Sequence, residues 1–235
     1  MSENIRLDGR KNNELREIKF TRDFTKNAKG SVLVEFGNTK VITTVSVENT
    51  KPKWMDKEDI RGWLTAEYSL LPSSTSTRCP RERSKISGRT QEIQRLIGRS
   101  LRACLDLSKM PDLTFTVDAD VIQADGGTRT ASICGSFLAL KIAVEKLLKE
   151  GILKENPIIE PIGAISAGIV NGNIMVDLNY AEDSNAQVDS NIVLTKSGKI
   201  IELQTTAEGE PFQEEQLSQI FNLAKQSIEK IIGMY

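Results

Sequence analysis

Two stretches of this chain are built on one plan, and together they restrict its fold more than any other feature. Residues 30–46, GSVLVEFGNTKVITTVS, set two β-prone runs on either side of Gly37-Asn38. Residues 163–179, GAISAGIVNGNIMVDLN, repeat the scheme 133 positions later around Asn171-Gly172-Asn173. Short Gly/Asn turns between β-prone runs are the local signature of a hairpin. Their recurrence points to two similar halves, although the residues themselves differ and hairpins also recur in mixed proteins without duplication.

Helical periodicity fills the intervals. Over 91–107, Ile93, Leu96, Ile97, Leu101, Cys104 and Leu105 fall on one face, the stripe of a helix lying on a core. Residues 130–150 do the same with Ile133, Phe137, Leu140, Val144 and Leu147. A third helix is predicted over 213–232 from Leu217, Ile220, Phe221, Ala224, Ile228 and Ile231, with Glu214 and Glu215 in the first turn, where negative charge suits the helix dipole. LTFTVDADVI (113–122) alternates apolar and polar residues and predicts a strand with one face on a core. Strands and helices therefore interleave. The expected architecture is α+β, mixed sheets with packed helices, in one unit spanning 1–235 with pseudo-repeat halves of about 1–155 and 156–235. Residues 151–161 are the junction and do not have the composition of a flexible linker.

The absence of histidine restricts the chemistry as strongly as the hairpins restrict the fold. It removes Ser-His-Asp and Cys-His nucleophiles, the HExxH zinc protease and every His-ligated metal site. Cys79, Cys104 and Cys134 are odd in number and far apart, with no CxxC, and read as reduced thiols. No apolar run approaches the ~18 residues that span a bilayer, and the first residues, MSENIRLDGRKNNELR, are polar throughout. The expected compartment is the cytoplasm, with no membrane partner. Carboxylates, arginines, hydroxyls or an oxygen-ligated metal remain to carry any reaction.

Three places offer those groups. Between residues 78 and 102, Arg78, Arg81, Arg83, Lys85, Arg89, Arg95, Arg99 and Arg102 are opposed only by Glu82 and Glu92, in a chain whose formal net charge is -1. Arg95, Arg99 and Arg102 lie opposite the apolar stripe of their helix, as a solvated face or an oligomer contact would. The preceding loop, STSTRCPRERSKISGRT, mixes arginines with small residues and suits a polyanion as well as it suits solvent. Second, Asp125-Gly126-Gly127-Thr128-Arg129-Thr130 lies between the 113–122 strand and the 130–150 helix. Paired glycines before a helix start let free N–H groups and the dipole meet an anion, and Arg129 adds a full charge. The pattern is not GxxxxGK[ST], which disfavours a P-loop. Third, Asp177, Glu182, Asp183 and Asp189 concentrate carboxylates that suit Mg²⁺ or Mn²⁺, or proton transfer at a phosphoryl centre. Asp183 and Asp189, six apart, would share a face of a continuous strand. An acidic loop of this kind is otherwise simply hydrated. As a set, the three places are equipment for phosphoryl or nucleotidyl transfer.

The stretches RLDGR (6–10), GNTKV (37–41), GWLTAEYSLLP (62–72), SGRTQEIQRLIGRSLRA (87–103), DADVIQADGGTRTASI (118–133), EDSNAQVDSN (182–191) and TAEGEPF (206–212) closely resemble the ribonuclease PH family of phosphorolytic 3′ exoribonucleases. They follow in order along almost the whole chain, and the arginine-rich helix block and QADGGTRTA are highly specific. The resemblance implies a duplicated βαβ-type fold (ribosomal protein S5 domain 2-like) shared with polynucleotide phosphorylase and the exosome ring. It also implies homo-oligomers, dimers assembled into a hexameric ring, and RNA, specifically tRNA precursors, as substrate. By motif, Arg89, Gly127, Thr128 and Arg129 would hold inorganic phosphate as co-substrate. Asp183 and Asp189 would be the catalytic carboxylates and the ligands of Mg²⁺ or Mn²⁺, and Arg78, Arg81 and Arg83 would meet RNA. Reversal would add nucleotides. The chain departs from the family at Ser73, where arginine is usual, at Gln204-Thr205-Thr206, where glycine usually follows the glutamine, and at Ala119 and Ser190, where Cys and Met are usual. The rival readings are a non-catalytic RNA-binding ring subunit of an exosome-like assembly, a hydrolytic nuclease using the same carboxylates, and, more remotely, a small-molecule phosphotransferase.

Overall fold

Both hairpins form as the sequence predicts. In the computed structural model, which describes residues 6–56 and 58–235, β2 (Gly30–Phe36) pairs antiparallel with β3 (Thr39–Glu48) across a two-residue turn closed by Phe36 and Thr39. The second hairpin joins β6 (Ile162–Val170) to β7 (Asn173–Val176) through Asn171-Gly172. Residues 1–5, the start of the polar N-terminal stretch, lie outside the described residues. β1 (Ile18–Arg22), β4 (Trp63–Leu70) and β5 (Thr114–Gln123) complete the first sheet, in the order β1-β2-β3-β5-β4. β5 is the alternating segment expected over 113–122. Its Phe115, Val117, Ala119 and Val121 point into the core, and its polar residues point away.

The helix expected over 91–107 is α1, Gly88–Ala103. It starts earlier because the Ser87 hydroxyl caps it, accepting from the Thr90 amide at 3.2 Å. It stops earlier because Leu105 leaves the helical path to bridge Ile158, and Leu107–Lys109 forms a separate 3₁₀ turn. α1 carries the chain from β4 to β5, which run parallel, so the first sheet contains a βαβ crossover. α2 (Thr128–Lys149) replaces the expected one-sided stripe over 130–150 with burial nearly all round, 16 of its 22 residues. The reason is its position: it packs on β2, β3 and β5 on one side and on β6 of the second sheet on the other. Close approach to the first sheet requires a bare backbone, since a Cβ at Gly30 would lie 2.0 Å from the Ala139 carbonyl oxygen.

The second sheet adds β8 (Val188–Thr195) and β9 (Ile200–Ala207) in the order β7-β6-β8-β9, antiparallel throughout. α3 (Tyr180–Asp183) is a single turn between β7 and β8, and α4 (Glu214–Ile232) covers β6, β7 and β8. The architecture is the expected α+β, mixed sheets with packed helices, with the parallel crossover in the first sheet alone. One apolar cluster, from Val32 through Phe137 to Ile231, runs through both sheets. Among the described residues no helix is long and apolar enough to cross a membrane.

Two arginines of α1 have structural tasks. Arg99 pairs with Glu202 of β9 at 2.9 Å, and Arg102 lies over the Trp63 ring at 4.8 Å while donating to the Leu64 carbonyl. Arg95 is exposed. Of the three, Arg99 fastens one half of the molecule to the other.

Candidate active site

The Gly-rich segment closes the gap between β5 and α2, and its backbone is fastened from beneath. Thr39 accepts from the Asp125 amide at 2.9 Å and donates to the Gly126 carbonyl at 2.6 Å. Arg16 donates to the Asp125 carbonyl at 2.6 Å. Gly126 has φ 75°, and a Cβ there would meet the Leu178 carbonyl at 2.4 Å, so only glycine lets this loop lie directly on Leu178 and Asn179. The loop is held on its inner side, which leaves the first turn of α2 facing outward. Gly127 occupies the N-cap with no side-chain cap, and neither α1 nor α2 has an acidic residue in its first turn. α4, none of whose residues lines this place, has Glu214 and Glu215 there. One positive helix end without a side-chain cap, that of α2, thus opens where Arg89 and Arg129 also stand.

A cleft of about 880 Å³ opens there. It brings together Arg89, Gly127, Thr128, Arg129, Asp183 and Asp189, all expected at one site from the sequence. Thr128 shares a hydrogen bond with the buried Tyr68 hydroxyl at 2.9 Å. Arg129 donates to Gln204 at 2.9 Å and lies 3.4 Å from Glu92. Arg89 has no hydrogen-bond or ion-pair partner among the described residues, and its guanidinium is available to an anion. Arg78, Arg81 and Arg83 do not line the cleft. They are exposed on the 71–87 loop, whose residues Thr75, Ser76, Thr77 and Cys79 form part of its wall.

The acidic cluster is divided by the fold. Asp177 is fully buried, accepts from the Arg16 amide at 2.7 Å and pairs with the Arg16 guanidinium at 2.6 Å. Glu182 accepts from Arg6 Nε at 2.6 Å. Both acids are structural. Asp183 and Asp189 remain in the cleft, and they do so without the continuous strand on which they would share a face: Asp183 ends α3, the chain turns, and Asp189 is the second residue of β8. Burial raises the Asp183 carboxyl above its ordinary range, against the opposing pull of Arg129, Arg89 and Arg16. Asp189 is pushed up to about 6, by burial first and then by the charge of Asp183, with Arg129 acting the other way. Its Oδ1 is buried with no hydrogen-bond partner, and Oδ2 accepts from Asn191 at 3.4 Å.

An unpartnered carboxylate oxygen beside a second carboxylate fits a hard divalent cation. No group of three or more potential ligands is close enough to enclose a metal among the described residues. Asp183 and Asp189 would therefore hold an ion whose other ligands are water and phosphate oxygens, a usual arrangement for Mg²⁺. Asn38, Tyr180, Asn191 and Glu208 also line the cleft and carry no signal in isolation; Glu208 lies within the TAEGEPF stretch.

The model of the 3′ exoribonuclease family, domain 1, matches residues 14–144, and domain 2 of the same family matches residues 160–227. The fold is similar to that of Rrp46 from rice (Oryza sativa), with 21% identity, TM-score 0.77 and 96% of each chain covered. It is also similar to a chain of the Archaeoglobus fulgidus exosome with RNA bound to the active site, at 22% identity and TM-score 0.83, covering 98% of this chain and 92% of that one. An archaeal exosome core chain gives 22% identity and TM-score 0.78, with 98% and 91% covered. Matched over most of its length by both domain models, the chain belongs to the 3′ exoribonuclease family.

Proposed function

We propose that this protein is a phosphate-dependent 3′-to-5′ exoribonuclease that trims the 3′ ends of tRNA precursors in the cytoplasm. The observation that carries the reading is the meeting, in one cleft, of the uncapped start of α2, Arg89 and Arg129 with the Asp183–Asp189 pair. The first group suits a free phosphate ion. The second suits the reacting phosphodiester.

Phosphate, held by Arg89, Arg129, the Thr128 hydroxyl and the amides of the first turn of α2, attacks the phosphorus of the terminal linkage. The P–O3′ bond breaks, a nucleoside diphosphate leaves, and the RNA is shorter by one nucleotide. The proton shed by the attacking phosphate ends on the 3′-oxygen, and Asp189, pushed up to about 6, is the carboxyl suited to pass it where it does not ligate an ion. When bound by Asp183 and Asp189, Mg²⁺ or Mn²⁺ supplies positive charge against the phosphoryl oxygens. The product retains a phosphoanhydride bond, so nucleotide addition runs by the same path in reverse. Arg78, Arg81 and Arg83 guide the RNA backbone toward the cleft, and the subunits form a hexameric ring of dimers.

The test is product analysis after incubation with a 3′-extended tRNA and Mg²⁺, with and without inorganic phosphate. Nucleoside diphosphates that appear only with phosphate are expected. Monophosphates without phosphate would mean hydrolysis. Bound but uncut RNA in both tubes would leave a non-catalytic ring subunit.

A further inference from the structure

The cleft is larger than a phosphate ion and two carboxylates need, and one side chain in it has no task in the chemistry above. Tyr180 opens α3, lines the cleft with Asp183 and is 61% exposed. Its backbone is nevertheless fixed. The Tyr180 amide donates to Asp125 Oδ1 at 3.3 Å, and the reciprocal Asn179–Glu182 capping box closes the turn. Glu182 is itself held by Arg6, and Gly126 lies directly on the two residues before Tyr180. The Tyr180 ring, by contrast, has no aromatic neighbour and its hydroxyl no hydrogen-bond partner among the described residues. A ring with only two torsions, on a fixed backbone, can accept a flat partner at small entropic cost.

We infer that Tyr180 is a stacking platform for the base of the 3′-terminal nucleotide. Its amide touches Asp125, the first residue of the phosphate-binding segment, and it stands three residues before Asp183, so the base beside it belongs to the nucleotide being removed. Every base offers a π face, so stacking holds the end of the chain without reading its sequence. Leu70 and Ala124 give the same cleft apolar lining. The assignment of the stacked base to the departing nucleotide rests on the phosphorolytic reading; the stacking itself does not.

The experiment uses the full chain and its Tyr180→Ala and Tyr180→Phe variants, with RNA carrying 2-aminopurine at the 3′ end or several nucleotides upstream. Binding, measured with Mg²⁺ and no phosphate, is expected to quench the terminal probe in the wild type and Tyr180→Phe but not in Tyr180→Ala. The upstream probe should respond equally in all three. Tyr180→Ala should raise KM for RNA about tenfold, the scale of one lost base–aromatic stack, with KM for phosphate within about twofold. Tyr180→Phe should restore the wild-type value. Quenching unchanged in Tyr180→Ala would overturn the inference, as would a Tyr180→Phe variant as impaired as Tyr180→Ala, or a wild type that binds no RNA. Terminal quenching lost in Tyr180→Ala, with no nucleoside diphosphate from any variant, would uphold the platform and refute phosphorolysis. Because the side chain is exposed, thermal unfolding of the variants should match the wild type.

Discussion

The molecule contains two groups of arginines and carboxylates drawn from overlapping stretches of sequence, and they have opposite characters. In the first, Arg6, Arg10 and Arg16 enclose Asp177 and Glu182; the pairs are buried and Asp177 is saturated by donors. In the second, Arg89, Arg129, Asp183 and Asp189 line one open cleft, with Arg89 unpartnered and Asp189 Oδ1 unsatisfied. The closed group spends its charges on itself and fixes geometry. The open group leaves Arg89 and Asp189 free for something that is not protein. Arg16 links them, because the guanidinium that holds Asp177 also holds the Asp125 carbonyl at the base of the cleft.

Breaking the closed group should have the largest effect. Asp177→Ala leaves Arg16 buried without its counter-charge, a loss of about 3–5 kcal/mol in stability. For a chain of this size that lowers Tm by on the order of 10 °C, readable by calorimetry. An unshifted Tm would mean the pairs are solvated and the contrast false.

In the open group, Asp189→Asn should behave in the reverse sense, losing function while gaining stability. Turnover should fall ~10²-fold or more. The folded carboxyl titrates at about 6 against an ordinary 3.8, so the fold favours its neutral form. That preference is fully present below about 3.8 and is lost as pH rises through 6. The wild type therefore carries a penalty at pH 8 that asparagine lacks, about 3 kcal/mol at most. Unfolding at pH 8 should show the variant more stable, and the gain should vanish as pH falls below about 3.8. A variant no more stable at pH 8 would mean the cleft solvates Asp189 after all.

Arg129→Ala should have the smallest effect of the three. Its partners are the exposed Glu92 and the half-buried Gln204, so the fold tolerates its loss. KM for phosphate should rise about tenfold, the scale of one charge-assisted hydrogen bond, while RNA binding without phosphate stays near the wild type. An unaltered phosphate response would move the anion site to Arg89.

These contrasts also mark what the sequence can and cannot disclose. The hairpins around Gly37-Asn38 and Asn171-Gly172 and the stripe of α1 are local patterns, and they form where they are written. Arg89, Gly127, Thr128, Arg129, Asp183 and Asp189 were legible as anion and carboxylate sites because their residue types and neighbours advertise that chemistry. The division of the acidic cluster was not legible. Asp177 and Glu182 look like Asp183 and Asp189 until the partners Arg16 and Arg6 arrive from more than 150 positions away. Likewise α2 shows an apolar stripe, but enclosure on both sides is a property of two sheets, not of one helix. Tyr180 carries no periodic or spacing signal at all; its exposure in a cleft exists only once the loop and α3 meet.

The fastening of the N-terminal arginines has a consequence for how the chain is made. Arg6 and Glu182 are 176 positions apart, and Arg16 and Asp177 are 161 apart. At about 5–20 residues per second of translation, the arginines wait roughly 10–40 s for their partners to emerge. Meanwhile the β2–β3 hairpin and α1 can form on local contacts. The segment from Asp125 to Thr128 thus leaves the ribosome before the acid that holds Arg16 beneath it has been synthesised. A nascent chain short of residue 182 has a first sheet but no finished cleft, so site assembly is deferred until most of the polypeptide is present.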